Sequence, residues 1–389
     1  MENHTAQNGA SAPRGVYTPI WTLRDAWIAW QSGAKFPIGF LGDSTTDGSA
    51  TTSGSSHARR DTEAGGYGKV DYINPHAYPY LLEQLIRRET GNNAARVYNI
   101  GYSGTTFKWA KPKLEAIFGD AYADVKMVGI VYGINDRLVD TVAEYEQAVK
   151  ENLAYFIDWF YDRGIQPFLV TPQATVEPST ATTYLGQYPL RSSEALSSIA
   201  GCVIKEVAGK YGLELIDMTA FGELALTYSR YSLAELCPDT LHFGDRGHMM
   251  EAGFLFSRFC PRVIEIKEDA MLTFTSQKLR SSVPSDKVTY VQPAIHGFKI
   301  KAEYEKDDAD DTLLQDFWVL NSGKGGFRLI AYAVNAVGYV IVDGVHTSLT
   351  STEQVIADDL DIGLHHIQAY PGIGNKVGFL GFKLKKTCD

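Results

Sequence analysis

The segment Gly42-Asp43-Ser44-Thr45 directly follows the apolar run Pro37-Ile-Gly-Phe-Leu41. At the C-terminal end of a buried strand, a serine beside glycine can project its hydroxyl into a crevice while nearby backbone N–H groups stay free. Taken alone, the same segment reads equally well as a strand-to-loop turn with Ser44 as a cap. Three more segments change the balance. Asn99-Ile-Gly-Tyr-Ser-Gly104 follows a second apolar run, and its glycines let the backbone approach a ligand and present the Gly104 N–H. Gly133-Ile-Asn-Asp136 follows a third and offers the Asn135 amide. Asp239-Thr-Leu-His242 stands ahead of the last amphipathic segment. An Asp three residues before a His on one turn can accept the imidazole Nδ1–H, fix its tautomer and stabilise the imidazolium. A hydroxyl, an oriented base and pre-aimed N–H donors are the parts needed to attack an acyl carbon. Each alone is a locally satisfied loop residue; all four at strand ends make a set.

These side chains need a parallel sheet to hold them. The apolar runs at 37–41, 95–100, 126–132, 166–171 and 213–217 predict strands, and helices are expected near 77–90, 142–163, 192–211 and 246–265. An earlier helix carries Leu23, Ala26, Trp27 and Trp30 on one face. In the helix at 142–163, Tyr145, Val149, Leu153, Phe156 and Phe160 form a stripe that Gly164 stops. Strands apolar on both faces and separated by helices imply a three-layer α/β domain, drawn here at 19–267 behind a polar segment 1–18 expected to be disordered. Beyond it helical periodicity stops. Short β-branched or alternating runs at 287–291, 298–302, 317–320, 327–334, 338–342, 366–370 and 377–384, separated by turns such as Asn321-Ser-Gly323, Asp343-Gly344 and Gly372-Ile-Gly-Asn375, predict a small antiparallel β-sandwich over 268–389. The acidic run 307–311 reads as a solvated loop without the ligand spacing of a calcium hand.

Composition narrows the function further. The 389 residues carry 36 Lys+Arg against 46 Asp+Glu, a net charge of −10, which argues against general binding to the phosphate backbone of nucleic acid. No apolar run approaches the roughly 18 residues of a membrane span, and the N-terminus lacks the basic start and apolar stretch of a secretion signal. A soluble protein that does not insert into membranes is expected. Cys202, Cys237, Cys260 and Cys388 are scattered, as neither a disulfide framework nor a zinc site would be. Adjacent His365 and His366 would face opposite sides of a strand and cannot jointly chelate an ion, and no spacing makes ligands of His57, His76 or His248. Gly323-Lys-Gly-Gly-Phe327 lacks the strand–loop–helix setting of a phosphate loop. The aromatic segment Tyr67–Tyr80 is either a crevice wall or packing against the domain body.

In order and separation, Gly42-Asp43-Ser44, Gly104, Gly133-x-Asn135-Asp136 and Asp239-x-x-His242 resemble the four blocks of the SGNH/GDSL hydrolase superfamily. The resemblance covers about residues 36–266 and implies a flavodoxin-like fold and ester hydrolysis without metal or cofactor. It implies Ser44 as nucleophile, His242 as base and then acid, and Asp239 as its orienting carboxylate. The oxyanion hole would comprise the Ser44 and Gly104 N–H groups and the Asn135 amide. Activity should then fall at acid pH as His242 protonates. Thr45, where many members have Leu, and Phe243, where Pro is frequent, leave subfamily and substrate open. The β-rich region resembles accessory sandwiches of carbohydrate-active enzymes. Segments such as Trp27-Ile-Ala-Trp30 and Ala77-Tyr-Pro-Tyr-Leu-Leu82 resemble esterase modules of phage tails that act on the host surface. The expected substrate is an acetylated glycan or another small ester. The alternatives are a lipase, lysophospholipase or aryl esterase, and, from another class, a non-catalytic glycan-binding protein.

Overall fold

A computed structural model describes residues 15–54, 67–137, 139, 141–175, 193–273, 288–291, 298, 301–304, 313–333, 337–371 and 377–387. The N-terminal segment up to residue 14, His57, the acidic run 307–311, the turn 372–375 and Cys388 lie outside the described residues.

Helix α1 (Leu23–Gln31) starts at a capping box in which Thr22 and Asp25 satisfy each other's backbone N–H. Its Leu23, Ala26, Trp27 and Trp30 are buried, as the apolar spacing predicts. Parallel strands β1 (Ile38–Gly42), β2 (Val97–Gly101), β3 (Met127–Val131), β4 (Gln166–Val170) and β5 (Leu215–Ile216) follow. Helices α2 (Ser44–Asp47), α3 (Tyr78–Thr90), α4 (Phe107–Ala110), α5 (Leu114–Ile117), α6 (Val142–Tyr161) and α7 (Ser193–Tyr211) lie between them. After β5 come α8 (Met218–Tyr228), α9 (Leu233–Leu236) and α10 (Asp245–Phe259).

The sheet order is β2-β1-β3-β4-β5. Every residue of β1 to β4 is buried, because helices cover both faces; this is why these strands read as unbroken apolar runs. One face packs Tyr132, Phe156, Phe160 and Val203, and the other packs Trp27, Trp30, Phe168 and Phe256. Burying each such aromatic stabilises by roughly 1.5–3 kcal/mol. In-register pairing sets Gly42 beside both Gly101 and Val131, so the loops leaving β1, β2 and β3 emerge at one sheet edge. The helix expected at 246–265 stops at Phe259. Pro261 disfavours helical backbone at Cys260, which turns extended at ψ 109°, and the chain goes on as a strand.

That strand, β6 (Ile264–Ile266), leads into β7 (Ala270–Thr273), β8 (Val288–Val291), β9 (Lys301–Tyr304), β10 (Gln315–Asn321), β11 (Phe327–Ala333), β12 (Gly338–Val342), β13 (Val345–Ser348), β14 (Glu353–Leu360), β15 (Gly363–Pro371) and β16 (Val377–Lys386). They form two sheets, β13-β12-β15-β10-β6 and β14-β11-β16-β9-β8, with β7 on β16. Pairing is antiparallel except for β6 beside β10. Phe317, Val319, Val340 and Ile367 meet Leu329, Ala331, Phe382 and Leu384 in the core between the sheets. Asp343 (φ 51°) and Gly344 (φ 86°) make the left-handed two-residue hairpin expected between β12 and β13.

The outer face of the first of these sheets rests on α3 and α10. Trp318, Leu320 and Ile362 join the core of Trp27 and Phe256, and Trp318 Nε1 donates to Glu89 at 2.9 Å. Both adjacent histidines face polar partners here. His365 has Asp343 Oδ2 at 2.8 Å from Nδ1 and the Asp361 carbonyl at 2.7 Å from Nε2. Arg88 donates to His366 Nδ1 at 2.8 Å, so His366 Nε2–H donates to Asp316. Among the described residues, no helix is long and apolar enough to cross a membrane.

Candidate active site

Ser44 opens α2 at the end of β1, where Asp43 caps the turn by accepting from Thr45 N and Thr45 Oγ1, each at 2.9 Å. Burial pushes the Asp43 carboxyl above its ordinary value, against the pull of these bonds. The turn is packed tightly: a Cβ at Gly42 would lie 2.2 Å from Thr46 Oγ1, and one at Gly101 would lie 2.3 Å from Asp47 N. Only glycine fits at either position without a shift.

The four sequence segments converge on this point. His242 Nδ1–H donates to Asp239 Oδ2 at 2.7 Å, and Ser44 Oγ–H points at His242 Nε2 from 2.8 Å. The carboxylate also gathers backbone donors, with Asp239 Oδ1 accepting from His242 N at 2.6 Å and Leu241 N at 3.0 Å. Burial raises the Asp239 carboxyl, but the bonds from His242 and Leu241 outweigh it and hold the group below its usual range. It therefore stays ionised throughout the neutral range. Thr240, between Asp239 and His242, sits at φ 68°, a left-handed backbone that a β-branched residue rarely adopts. The Leu241 carbonyl accepts from Gln173 Nε2 at 2.7 Å.

Gly104 lies at φ 73° in the turn Tyr102–Thr105 after β2, as the third position of a type II turn requires. Two bonds tie this turn to the Ser44 loop: Tyr102 N donates to Gly42 O at 2.9 Å and Ser103 Oγ to Asp47 Oδ2 at 2.8 Å. Asn135 follows β3 in a short 3-10 turn and donates from Nδ2 to the Thr105 carbonyl at 3.1 Å, leaving its second amide hydrogen for another acceptor. Asp136 accepts from Phe107 N at 3.1 Å. Burial pushes the Asp136 carboxyl up to about 7, over the opposing bond from Phe107 and with help from the charge of Asp43.

Around the turn's Tyr102, Tyr67 meets Trp109 edge-on at 5.1 Å and Tyr102 at 5.8 Å, with Lys113 Nζ 4.4 Å over the Trp109 ring. In the connection after α2, Thr52 N and Oγ1 donate to Asp245 at 2.9 Å each, and Ser53 Oγ lies 2.7 Å from His76 Nδ1. His248 is fully buried against Tyr78 and stands outside this group. Phe243 is buried in the domain body. Three residues carried no motif of their own in the sequence: Asp47 and Ser103, which join two loops, and Gln173, for which the available cue was only its place three residues past the buried strand β4. The described residues contain no cluster of His, Cys, Asp and Glu able to hold a metal ion. The combination can accept a hydroxyl proton, store the resulting charge against a carboxylate and present amide donors nearby.

Residues 40–250 match the profile of the GDSL-like Lipase/Acylhydrolase family. A search of the curated proteins gives no match. Similar solved structures include LAE5, an alpha/beta hydrolase enzyme from the metagenome of Lake Arreo, Spain, at 22% identity and TM-score 0.42, covering 57% of this chain and 94% of that one. The lipase/acylhydrolase from Enterococcus faecalis is similar at 21% identity and TM-score 0.40, covering 57% and 93%. A two-domain esterase active on acetylated mannans is similar at 14% identity and TM-score 0.42, covering 97% of each chain. With the profile spanning more than half of its length, the chain belongs to the GDSL-like lipase/acylhydrolase family.

Proposed function

We propose that this protein is a serine esterase working through an acyl-enzyme, with Ser44 as nucleophile, His242 as general base and then acid, and Asp239 as the carboxylate that orients it. The observation that carries the reading is the unbroken chain Ser44 Oγ, His242 Nε2, His242 Nδ1, Asp239 Oδ2, with links of 2.8 and 2.7 Å. Serine is a weak nucleophile at neutral pH, so His242 takes its proton as Oγ attacks the ester carbonyl. Asp239, ionised at neutral pH, stabilises the imidazolium. The oxyanion is received by the Ser44 and Gly104 N–H groups and the second Asn135 amide hydrogen. His242 then returns the proton to the departing alcohol, and water, activated by the same ring, releases the acid. No step calls for a metal or cofactor.

The substrate class we favour is an acetylated polysaccharide or cell-surface glycan. Supporting it are Thr52, Ser53, Tyr67 and His76 on the long connection from α2 to α3 and Trp109 on α4, rings and hydrogen-bonding groups of the kind that suit sugar, carried by the stretches of chain that leave the Ser44 and Gly104 turns. We further propose residues 19–267 as the catalytic unit and 268–389 as an accessory sandwich. Turnover of p-nitrophenyl acetate by the wild type and by Ser44→Ala tests the mechanism. Equal rates would refute it. Acetate release from acetylated polysaccharides, set against fatty-acid release from phospholipids, tests the substrate class; preference for the lipid would overturn it.

A further inference from the structure

Gln173 is 2% exposed and lies two residues past the buried Thr171, which follows β4. Its Nε2 donates across 68 residues of sequence to the Leu241 carbonyl at 2.7 Å. That carbonyl belongs to the same peptide unit as the His242 N–H, which Asp239 Oδ1 accepts at 2.6 Å. One peptide plane is thus held at both ends, its oxygen by Gln173 and its hydrogen by Asp239. The plane immediately precedes the His242 Cα, so its rotation sets the direction in which the imidazole leaves the backbone. The turn it belongs to is under tension. Thr240 is at φ 68°, where its Cβ crowds the backbone, and a conformation of that kind persists only where its surroundings hold it.

We propose that Gln173 is a positioning residue for the general base, holding the strained Asp239–His242 turn in the rotation at which Nε2 meets Ser44 Oγ. This rests on the reading of Ser44 and His242 as nucleophile and base. Gln173 touches no reacting atom. It acts through the Leu241–His242 peptide, on the far side from the carboxylate, so Asp239 alone fixes the ring's tautomer but not its aim.

The test is a cycle of Gln173→Met, Thr240→Asn and the double variant in the full chain, assayed on p-nitrophenyl acetate with thermal melts alongside. Met keeps the buried volume and removes the donor, and the melts show whether the fold is retained. Asn adopts the left-handed backbone far more readily than Thr and relieves the tension. Gln173→Met is expected to lower kcat by about 10- to 100-fold, because small misplacements of a reacting group carry penalties of that order, with KM within about twofold. In the Thr240→Asn background the same change should lower kcat only a few-fold. A purely structural Gln173 would give equal losses in both backgrounds. That result, wild-type kcat in Gln173→Met, or a change confined to KM, overturns the proposal. A low-field Nδ1–H proton resonance of His242, followed by NMR, adds a reading that needs no turnover: it should be sharp in the wild type and broadened in Gln173→Met. If Ser44→Ala turns over as fast as the wild type while this signal still responds to Gln173, the esterase reading fails and the positioning of His242 stands.

Discussion

Two regions of this molecule carry imidazole–carboxylate pairs of nearly equal geometry. His242 Nδ1 lies 2.7 Å from Asp239, and His365 Nδ1 lies 2.8 Å from Asp343. They differ at the second ring nitrogen. In His365 that nitrogen meets the Asp361 carbonyl, an acceptor, so the ring is satisfied when it carries both protons. In His242 it meets a serine hydroxyl, whose proton it can take. The lesson is that a carboxylate beside a histidine says little about chemistry. What the other nitrogen faces decides between a fastener and a base. His366, with Arg88 of α3 on one nitrogen and Asp316 on the other, is a second fastener, this one between the sandwich and the helices.

The comparison can be broken first at the serine. Ser44→Ala or His242→Ala should lower kcat by about 10⁴-fold or more, measured on an activated acetyl ester, whereas His365→Asn should leave it unchanged. Loss of activity in His365→Asn would erase the distinction. Next, Asn135→Ala should lower kcat by roughly 10²–10³-fold with little change in KM, the usual result of removing one oxyanion donor.

Stability sharpens the contrast from the other side. Burial pulls the His365 pKa down, but the bonds to Asp343 and the Asp361 carbonyl outweigh it and raise the value. Its contribution is therefore complete below the ordinary histidine value of about 6.5 and fades as pH rises through the higher folded value. His365→Asn should lower the melting temperature by an amount equivalent to about 1–3 kcal/mol at pH 6, and by less at pH 9. A deficit that grew with pH would contradict this. The smallest effect is expected at Asp136, whose carboxyl is raised to about 7. Stability tied to its neutral form is complete below about 3.9 and is lost as pH rises through 7. Melting temperatures from pH 5 to 8 should accordingly fall less steeply in Asp136→Asn than in the wild type.

What the sequence announced and what it hid follow from where each residue sits. β1 to β4 are covered on both faces, so they had to be apolar throughout and were readable, as were the polar residues breaking out at their C-terminal ends. β14, Glu353-Gln-Val-Ile-Ala-Asp-Asp-Leu360, is a largely exposed edge strand whose acids blur any alternation, and β13 is a short edge with no buried face. Both escaped notice for that reason. The Ser44, Asp239 and His242 segments were legible because local spacing constrains them. Gln173 and Leu241 are joined by one hydrogen bond across two loops, which leaves no local pattern to read.

The parallel pairing of β6 with β10 has a practical consequence for anyone wishing to trim the molecule. β6 begins five residues after α10 ends, and α10 itself starts three residues beyond His242. A fragment cut after residue 267 would retain Ser44, Gly104, Asn135, Asp239 and His242, yet strip Trp318, Leu320 and Ile362 from the aromatic face of Phe256 and leave the Ile264–Ile266 backbone without a neighbour. Bare strand edges and uncovered rings are what chains self-associate through. The minimal piece that holds all the proposed site residues is thus a poor candidate for a well-behaved protein, since it lacks the sandwich that covers its aromatic face.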